Sequence, residues 1–197
     1  RGLPVDQTSP GIIRDMNKCI ACGRCVEVCN QTQAVGSIFF QGRGSDTIVS
    51  PAVDHHMGTS VCANCGQCVV YCPVGALYEN EVIEEVWRAI DDPEKIVVTQ
   101  IAPAVRVALG EEFGLQAGEL VIGQIYAALK KLGVDIVFDT NFTADLTIME
   151  EGTEFLQRLE KGGPFPLITS CSPGWIKFGE TFYPDLLENI SSCKSPQ

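Results

Sequence analysis

A chain of 197 residues with 45% apolar content is long enough to bury one ordinary core and a second, smaller one. The formal net charge of −11 is lopsided, −1 over residues 1–80 and −10 over residues 81–197, which argues against nucleic acid as a partner and favours a partner with a basic face. No apolar run reaches the roughly 18 residues of a membrane-spanning helix, so no membrane span is expected. The chain starts at Arg1 and not at Met, as expected of a polypeptide that is processed, tagged or excised from something longer.

The first eighty residues are organised by cysteine. Eight of the ten cysteines form two copies of C-x2-C-x2-C-x3-C: Cys19, Cys22, Cys25 and Cys29, then Cys62, Cys65, Cys68 and Cys72, at an offset of 43 residues. Bacterial-type ferredoxin modules hold two 4Fe-4S clusters with this spacing, and the fourth cysteine of each run ligates the other cluster. The expected sites are therefore Cys19, Cys22, Cys25 and Cys72 for one cluster, and Cys62, Cys65, Cys68 and Cys29 for the other. A zinc site needs four ligands in a tetrahedron, and these runs do not divide into such halves. A disulfide framework belongs to an oxidising compartment, and no apolar leader-like stretch precedes Cys19. Gly23 and Gly66 each follow a second cysteine, where a tight ligand loop calls for positive φ. Pro73 follows Cys72 as usual for such runs, whereas Asn30 follows Cys29. Between the runs, SIFF and DTIV flanking QGRGS read as a β-hairpin. His55 and His56 fall in the next loop and read as exposed polar residues, with a ligand role as the other reading.

The chain is expected to divide near residues 79–92, into an α+β ferredoxin-like domain over 1–80 and a partial α/β domain, a parallel sheet with flanking helices, over 81–197. Beyond the break, strand and helix patterns alternate. Lys95–Ala102 reads as a buried strand stopped by Pro103. Glu119–Leu132 has helical spacing at Val121, Ile125, Ala128, Leu129 and Leu132 and stops at Gly133. Val134–Phe138 reads as a second strand. Ala144–Glu160 reads as a helix with Ile148, Phe155, Leu156 and Leu159 inward, closed by Gly162, Gly163 and Pro164. Pro166–Thr169 reads as a third strand, and Pro173–Asn189 as a helix opened by proline.

Within PFPLITSCSPGW, residues 164–175, Cys171 lies between a strand's carboxyl end and a helix's amino end, the junction where α/β sheets bind ligands. A helix start also favours thiolate. The other reading of Cys171 is a small buried hydrophobe.

The ordered motifs CIACGRCVEVC, CANCGQCVVYCPVGAL, IAPAVRVALGE, FDTNFTADLTIMEE, GPFPLITSCSPGW and SSCKSPQ resemble the catalytic subunit of FeFe (iron-only) hydrogenases from Arg14 to Gln197. The resemblance implies an enzyme: a two-cubane relay domain feeding the first part of the domain that interconverts H2 with protons and electrons. That family's H-cluster joins a 4Fe-4S cube to a diiron unit through a cysteine. Its TSCCP motif supplies a relay cysteine and then a ligand, so Cys171 takes the relay position and Ser172 the ligand position. Serine is a hard ligand beside thiolate, which leaves three outcomes: weak ligation by Ser172, ligation by Cys171, or no cube. The family's remaining H-cluster cysteines correspond to positions beyond Gln197, so the complete cofactor is expected only in a longer parent.

By the same resemblance Glu151, Glu154 and Ser191 match the family's proton relay, with Cys171 at its inner end. Glu151 and Glu154 share a helical face. Read without the resemblance, Glu154 and Arg158 make an ordinary surface i,i+4 pair. Ala102, Pro103, Pro196 and Gln197 match segments lining the diiron pocket, and Cys193 has no ligand role. The implied partners are a redox protein or further hydrogenase subunits, either a ferredoxin or an NAD(P)-linked flavoprotein subunit. The implied setting is the cytoplasm of an anaerobe. The competing reading is a non-catalytic electron-transfer or sensory module derived from the same scaffold, with Ser172 marking the loss of turnover.

Overall fold

The computed structural model describes residues 2–52 and 56–197. His55 lies outside the described residues. They fall into two compact units: the residues up to Glu81 together with Gly174–Leu187, and Val82–Pro173 together with Glu188–Gln197. The sequence break near residue 80 lies beside the first border, whereas Gly174–Leu187 groups with the cysteine-rich unit.

The cysteine-rich unit holds short elements: β1 (Ile12–Arg14), α1 (Arg24–Glu27), β2 (Phe39–Gln41), β3 (Ile48–Ser50), α2 (Gln67–Val70) and β4 (Leu77–Glu79). β1 pairs antiparallel with β4, Ile13 opposite Tyr78, which brings the two ends of the cysteine repeat together. β2 and β3 form the expected hairpin, Phe40 opposite Val49. A single-turn π-helix, Val28–Thr32, follows α1 directly and carries Cys29. Asn30 closes this turn, its amide donating to the carbonyls of Val26 at 2.8 Å and Ile38 at 2.9 Å. That gives a purpose to the residue standing where proline follows the second run.

The core of this unit is small, built on Ile12, Met16, Ile38, Val49, Met57, Ala76 and Leu77 packed against the cysteines. A buried polar knot supplements it. Asp6 accepts from the Met57 amide at 2.9 Å, the Thr8 hydroxyl at 2.7 Å and the Thr8 amide at 3.1 Å. Arg14 donates to Asp6 at 3.3 Å and to the Val49 carbonyl at 3.1 Å. Burial would raise the Asp6 pKa, but these donors and the Arg14 charge outweigh it and hold the carboxyl at about 2.

The second unit runs through α3 (Ile83–Ile90), β5 (Val98–Ile101), α4 (Val105–Ala108), α5 (Ile122–Leu132), β6 (Ile136–Asp139) and α6 (Thr140–Lys161), and α7 (Pro173–Phe182) follows. β5 and β6 pair in parallel, Val98 opposite Ile136 and Ile101 opposite Asp139. α5 starts at Ile122 and ends on Gly133, whose φ of 104° is open to glycine and closed to most residues. Its buried stripe is Val121 and Ile125, seated with Ile101.

Five sequence expectations change here. Residues 95–97 stay outside the strand and Ile96 and Val98 are exposed, so β5 is not buried on both faces. α6 begins four residues before Ala144, because the Asp139 carboxylate caps it by accepting from the Asn141 amide at 2.9 Å. Ile148, Phe155, Leu156 and Leu159 are exposed rather than inward, since a two-stranded sheet supplies no layer to cover that face. Residues 166–169 do not join the sheet. Ile168 instead forms one parallel bridge to Ile190, its amide donating to Asn189 O and its carbonyl accepting from the Ser191 amide. Pro184 also divides the last helix, leaving α7 and a 3-10 turn over Pro184–Asn189.

Candidate functional site

Two apolar cavities lie in the cysteine-rich unit. The first is lined by Cys19, Cys22, Cys25 and Cys72 among Met16, Val49 and Leu77. The second is lined by Cys29, Cys62, Cys65 and Cys68 among Ile12, Ile38 and Met57. Each therefore gathers three cysteines of one run with the last cysteine of the other. The local cause is the same in both halves: Gly23 at φ 80° and Gly66 at φ 75° turn the chain sharply into α1 and α2. The fourth cysteines, on the turn after each helix, are carried across to the opposite cavity.

Backbone amides aim at the sulfurs in paired fashion. Ala21 N–H donates to Cys19 Sγ at 3.3 Å and Asn64 N–H to Cys62 Sγ at 3.4 Å. Ala76 N–H reaches Cys72 Sγ at 3.2 Å and Ser37 N–H reaches Cys29 Sγ at 3.4 Å. Around Cys72, burial is outweighed by the amides of Val74, Leu77, Ala76 and Gly75, which lower its pKa. Burial pushes the Cys25 thiol up to about 11 and Cys68 up to about 12, with neighbouring sulfurs adding to both. Burial raises Cys62 as well. Sulfurs crowded into dry pockets cannot all ionise unless a cation compensates them, which iron does. Among the described residues, no three His, Cys, Asp or Glu side chains converge on a point that could hold a single ion. A cubane makes no such demand, since each thiolate meets a different iron. The cavities fit the clusters.

In the other unit a hydrogen-bonded cluster forms around Glu154. Its Oε2 accepts from Ser191 Oγ at 2.7 Å, the Ser192 amide at 3.1 Å and Ser192 Oγ at 3.3 Å. Its Oε1 accepts from Arg158 at 2.6 Å. Burial opposes ionisation, but the donors from Ser191, Arg158 and Ser192 prevail and lower the Glu154 pKa. Arg158 also donates to the carbonyls of Pro164, Asn189 and Ile190, tying α6 to the terminal segment. The expected surface pair with Arg158 is thus part of a larger network.

Residues 95–197 match the family model of the iron-only hydrogenase large subunit, C-terminal domain. The chain belongs to the iron-only hydrogenase large-subunit family. Residues 9–78 match the ferredoxin-like domain of NADH-quinone oxidoreductase subunit 3. The chain is 52% identical, over 96% of its length, to the NADP-reducing hydrogenase subunit HndD of Solidesulfovibrio fructosivorans. It is 45% identical, over 98% of its length, to iron hydrogenase 1 of Clostridium pasteurianum. It spans only 33% and 34% of those two proteins. A solved FeFe hydrogenase, HydA1 of Chlamydomonas reinhardtii, superposes with TM-score 0.54 at 47% identity, covering 58% of this chain and 30% of that one.

Against this hydrogenase frame, the remaining sequence-derived residues are placed unevenly. Glu154 and Ser191 are in direct contact, whereas Glu151 lies one turn back with Oε1 buried and no hydrogen-bond partner among the described residues. Cys171 is exposed on the segment before α7, with no hydrogen bond to Glu151, Glu154 or Ser191. Ser172 is exposed beside it. Ala102 and Pro103 follow β5 and are exposed. Pro196 comes to the same strand end, its carbonyl accepting from Gln100 Nε2 at 3.1 Å, and Gln197 extends one residue further. Cys193 O accepts from the Ser170 hydroxyl. His56 is exposed, its Nδ1 3.7 Å from Asp6 Oδ2. Sequence reasoning missed Asp6, Ser192 and the bracing role of Arg158. Their roles depend on partners 38 to 51 residues away or on backbone carbonyls.

Proposed function

We propose that this chain is the electron-relay portion and the opening part of the catalytic domain of an iron-only hydrogenase, which interconverts H2 with two protons and two electrons. The observation that carries this reading is the pair of dry cavities, each lined by three cysteines of one run and the fourth of the other. Their coupling to a hydrogenase large-subunit domain supports it. Cys19, Cys22, Cys25 and Cys72 would hold one 4Fe-4S cluster and Cys62, Cys65, Cys68 and Cys29 the other. When bound, the clusters supply one-electron transfer. Domain boundaries at 1–80 and 81–197 go with this division of labour.

For protons, the chain's own groups form the outer part of a path. The Ser191 hydroxyl already donates to Glu154 Oε2, so it can pass its proton to the carboxylate while accepting another. Arg158 fixes the opposite oxygen and keeps the carboxylate oriented. Glu151 offers a buried acceptor with no competing donor among the described residues, and Cys171 is the inner thiol. Ala102, Pro103, Pro196 and Gln197 would shape the pocket by packing. The donors within this stretch do not make an H-cluster site, since the expected ligand position is Ser172, a hard oxygen.

HndD is by name one subunit of an NADP-reducing hydrogenase. Partners of this chain would accordingly be further hydrogenase subunits, an NAD(P)-linked flavoprotein subunit or a ferredoxin, working in the cytoplasm of an anaerobe. The test is hydrogen evolution from a reduced low-potential dye by the full-length protein. Glu154→Gln should lower turnover by about a hundredfold or more with iron content unchanged. Unchanged turnover would remove Glu154 from the path. A fully loaded protein without any turnover would leave the electron-transfer module standing.

A further inference from the structure

An open polar hollow lies in the second unit between α6 and the terminal segment. Glu150, Thr153, Glu154 and Gln157, spaced along one face of α6, form one wall, and Ser192 and Lys194 stand on the other. The two carboxylate oxygens of Glu154 have different company. Oε1 accepts from Arg158 at 2.6 Å, and a guanidinium in a protein does not release a proton. Oε2 accepts from two hydroxyls of opposite exposure. Ser191 Oγ, at 2.7 Å, belongs to a residue only 6% exposed that is no part of the hollow's wall, and it accepts in turn from the Cys193 amide at 3.1 Å. Ser192 Oγ, at 3.3 Å, belongs to an exposed residue on that wall. One oxygen thus touches a buried hydroxyl on one side and a wetted hydroxyl on the other. The Ser192 amide also donates to it at 3.1 Å, a bond independent of the side chain.

We propose that the Ser192 hydroxyl is the outer end of the proton path, the group through which Glu154 exchanges protons with water in the hollow. The inference rests on the reading of Glu154 as a member of that path. On the way out, the O–H bond at Glu154 Oε2 breaks as its proton passes to Ser192 Oγ. The original Ser192 O–H bond breaks in the same exchange, and its proton forms a new bond to a water of the hollow. Glu154 is left as carboxylate, Ser192 as a neutral hydroxyl and the water as hydronium. On the way in, the same bonds form and break in reverse, and no electron moves. A hydroxyl suits this place because it donates and accepts at once and turns about its C–O bond. The Ser192 amide, Ser191 and Arg158 hold the carboxylate in place meanwhile.

The experiment is hydrogen evolution by the anaerobic full-length protein, read as oxidation of a reduced low-potential dye in H2O and in D2O, with and without added imidazole buffer. Iron is counted in every sample. Ser192→Ala removes the hydroxyl and keeps the amide bond to Glu154. It should lower turnover by about tenfold, less than loss of Glu154 itself, because water in the open hollow partly replaces the hydroxyl. The solvent isotope effect should rise, and imidazole, small enough to enter the hollow and carry protons, should recover most of the loss. Ser192→Thr, which keeps a hydroxyl, should recover it without imidazole. Undiminished turnover in Ser192→Ala, with Glu154→Gln still impaired, would overturn the proposal, since water would then reach Glu154 directly. A loss that neither imidazole nor threonine relieves, or one accompanied by lost iron, would also overturn it by assigning Ser192 to structure. Undiminished turnover in Glu154→Gln would instead refute the proton path on which the inference rests.

Discussion

Replacing Asp6 by Asn removes the charge on which Met57, Thr8 and Arg14 converge, at a side chain only 2% exposed. The carboxyl is held at about 2 against an ordinary 3.8, a difference worth about 2 kcal/mol of folding stability. Because the folded pKa is the lower one, this contribution is complete above pH 3.8 and fades as pH falls toward 2. Asn keeps one acceptor oxygen but turns its own amide toward donors, which adds about 1 kcal/mol or more for an orphaned buried N–H. The total near neutral pH is about 3 kcal/mol. Met57 lines the second cavity, so the loss should register as cluster release. The assay is the rate at which visible cluster absorbance disappears in a fixed denaturant concentration under anaerobic conditions. With most of the cost falling on the unfolding barrier, Asp6→Asn should release iron between about tenfold and a hundredfold faster. A rate within about twofold of the unmutated protein would refute the reasoning and reduce the Asp6 knot to a surface feature.

Cys29→Ala and Cys72→Ala should each disable the cluster of the opposite run, read as about half the iron and loss of one spectroscopic signal. Damage confined to the mutated run's own cube, or zinc in place of iron, would refute crossed ligation. Chelating the iron should unfold residues 1–80 while α5 and α6 persist, because the apolar core around Met57 and Ile38 is small without its clusters. Retained amide-exchange protection across residues 19–72 in the apo-protein would count against this. In the full-length enzyme Cys171→Ser should cut turnover by about a hundredfold or more with the metal spectra kept, as for a relay, and Ser172→Cys should be tolerated. Loss of the cube's signal in Cys171→Ser would make Cys171 a ligand, and undiminished turnover in Cys171→Ala would exclude both roles.

Local chemistry was readable from the residues alone. The positive φ expected of Gly23 and Gly66 after each second cysteine is what they adopt, because the turn of such a loop is settled within a few residues. The β2–β3 hairpin and the stop at Gly133 were legible for the same reason: each is decided within a few residues. What periodicity could not decide was coverage. Ile148, Leu156 and Leu159 have the spacing of a buried face but are exposed, since burial depends on what packs above a helix. The segment 166–169 has the composition of a strand, yet its backbone pairs with Ile190, and only the path of the chain could choose that partner. The Asp6 knot and the Glu154–Ser191–Arg158 cluster likewise join groups far apart in the chain. Sequence dictates which side chains can bond; tertiary structure alone decides which of them meet, because each such contact is bought with the closure of a long loop.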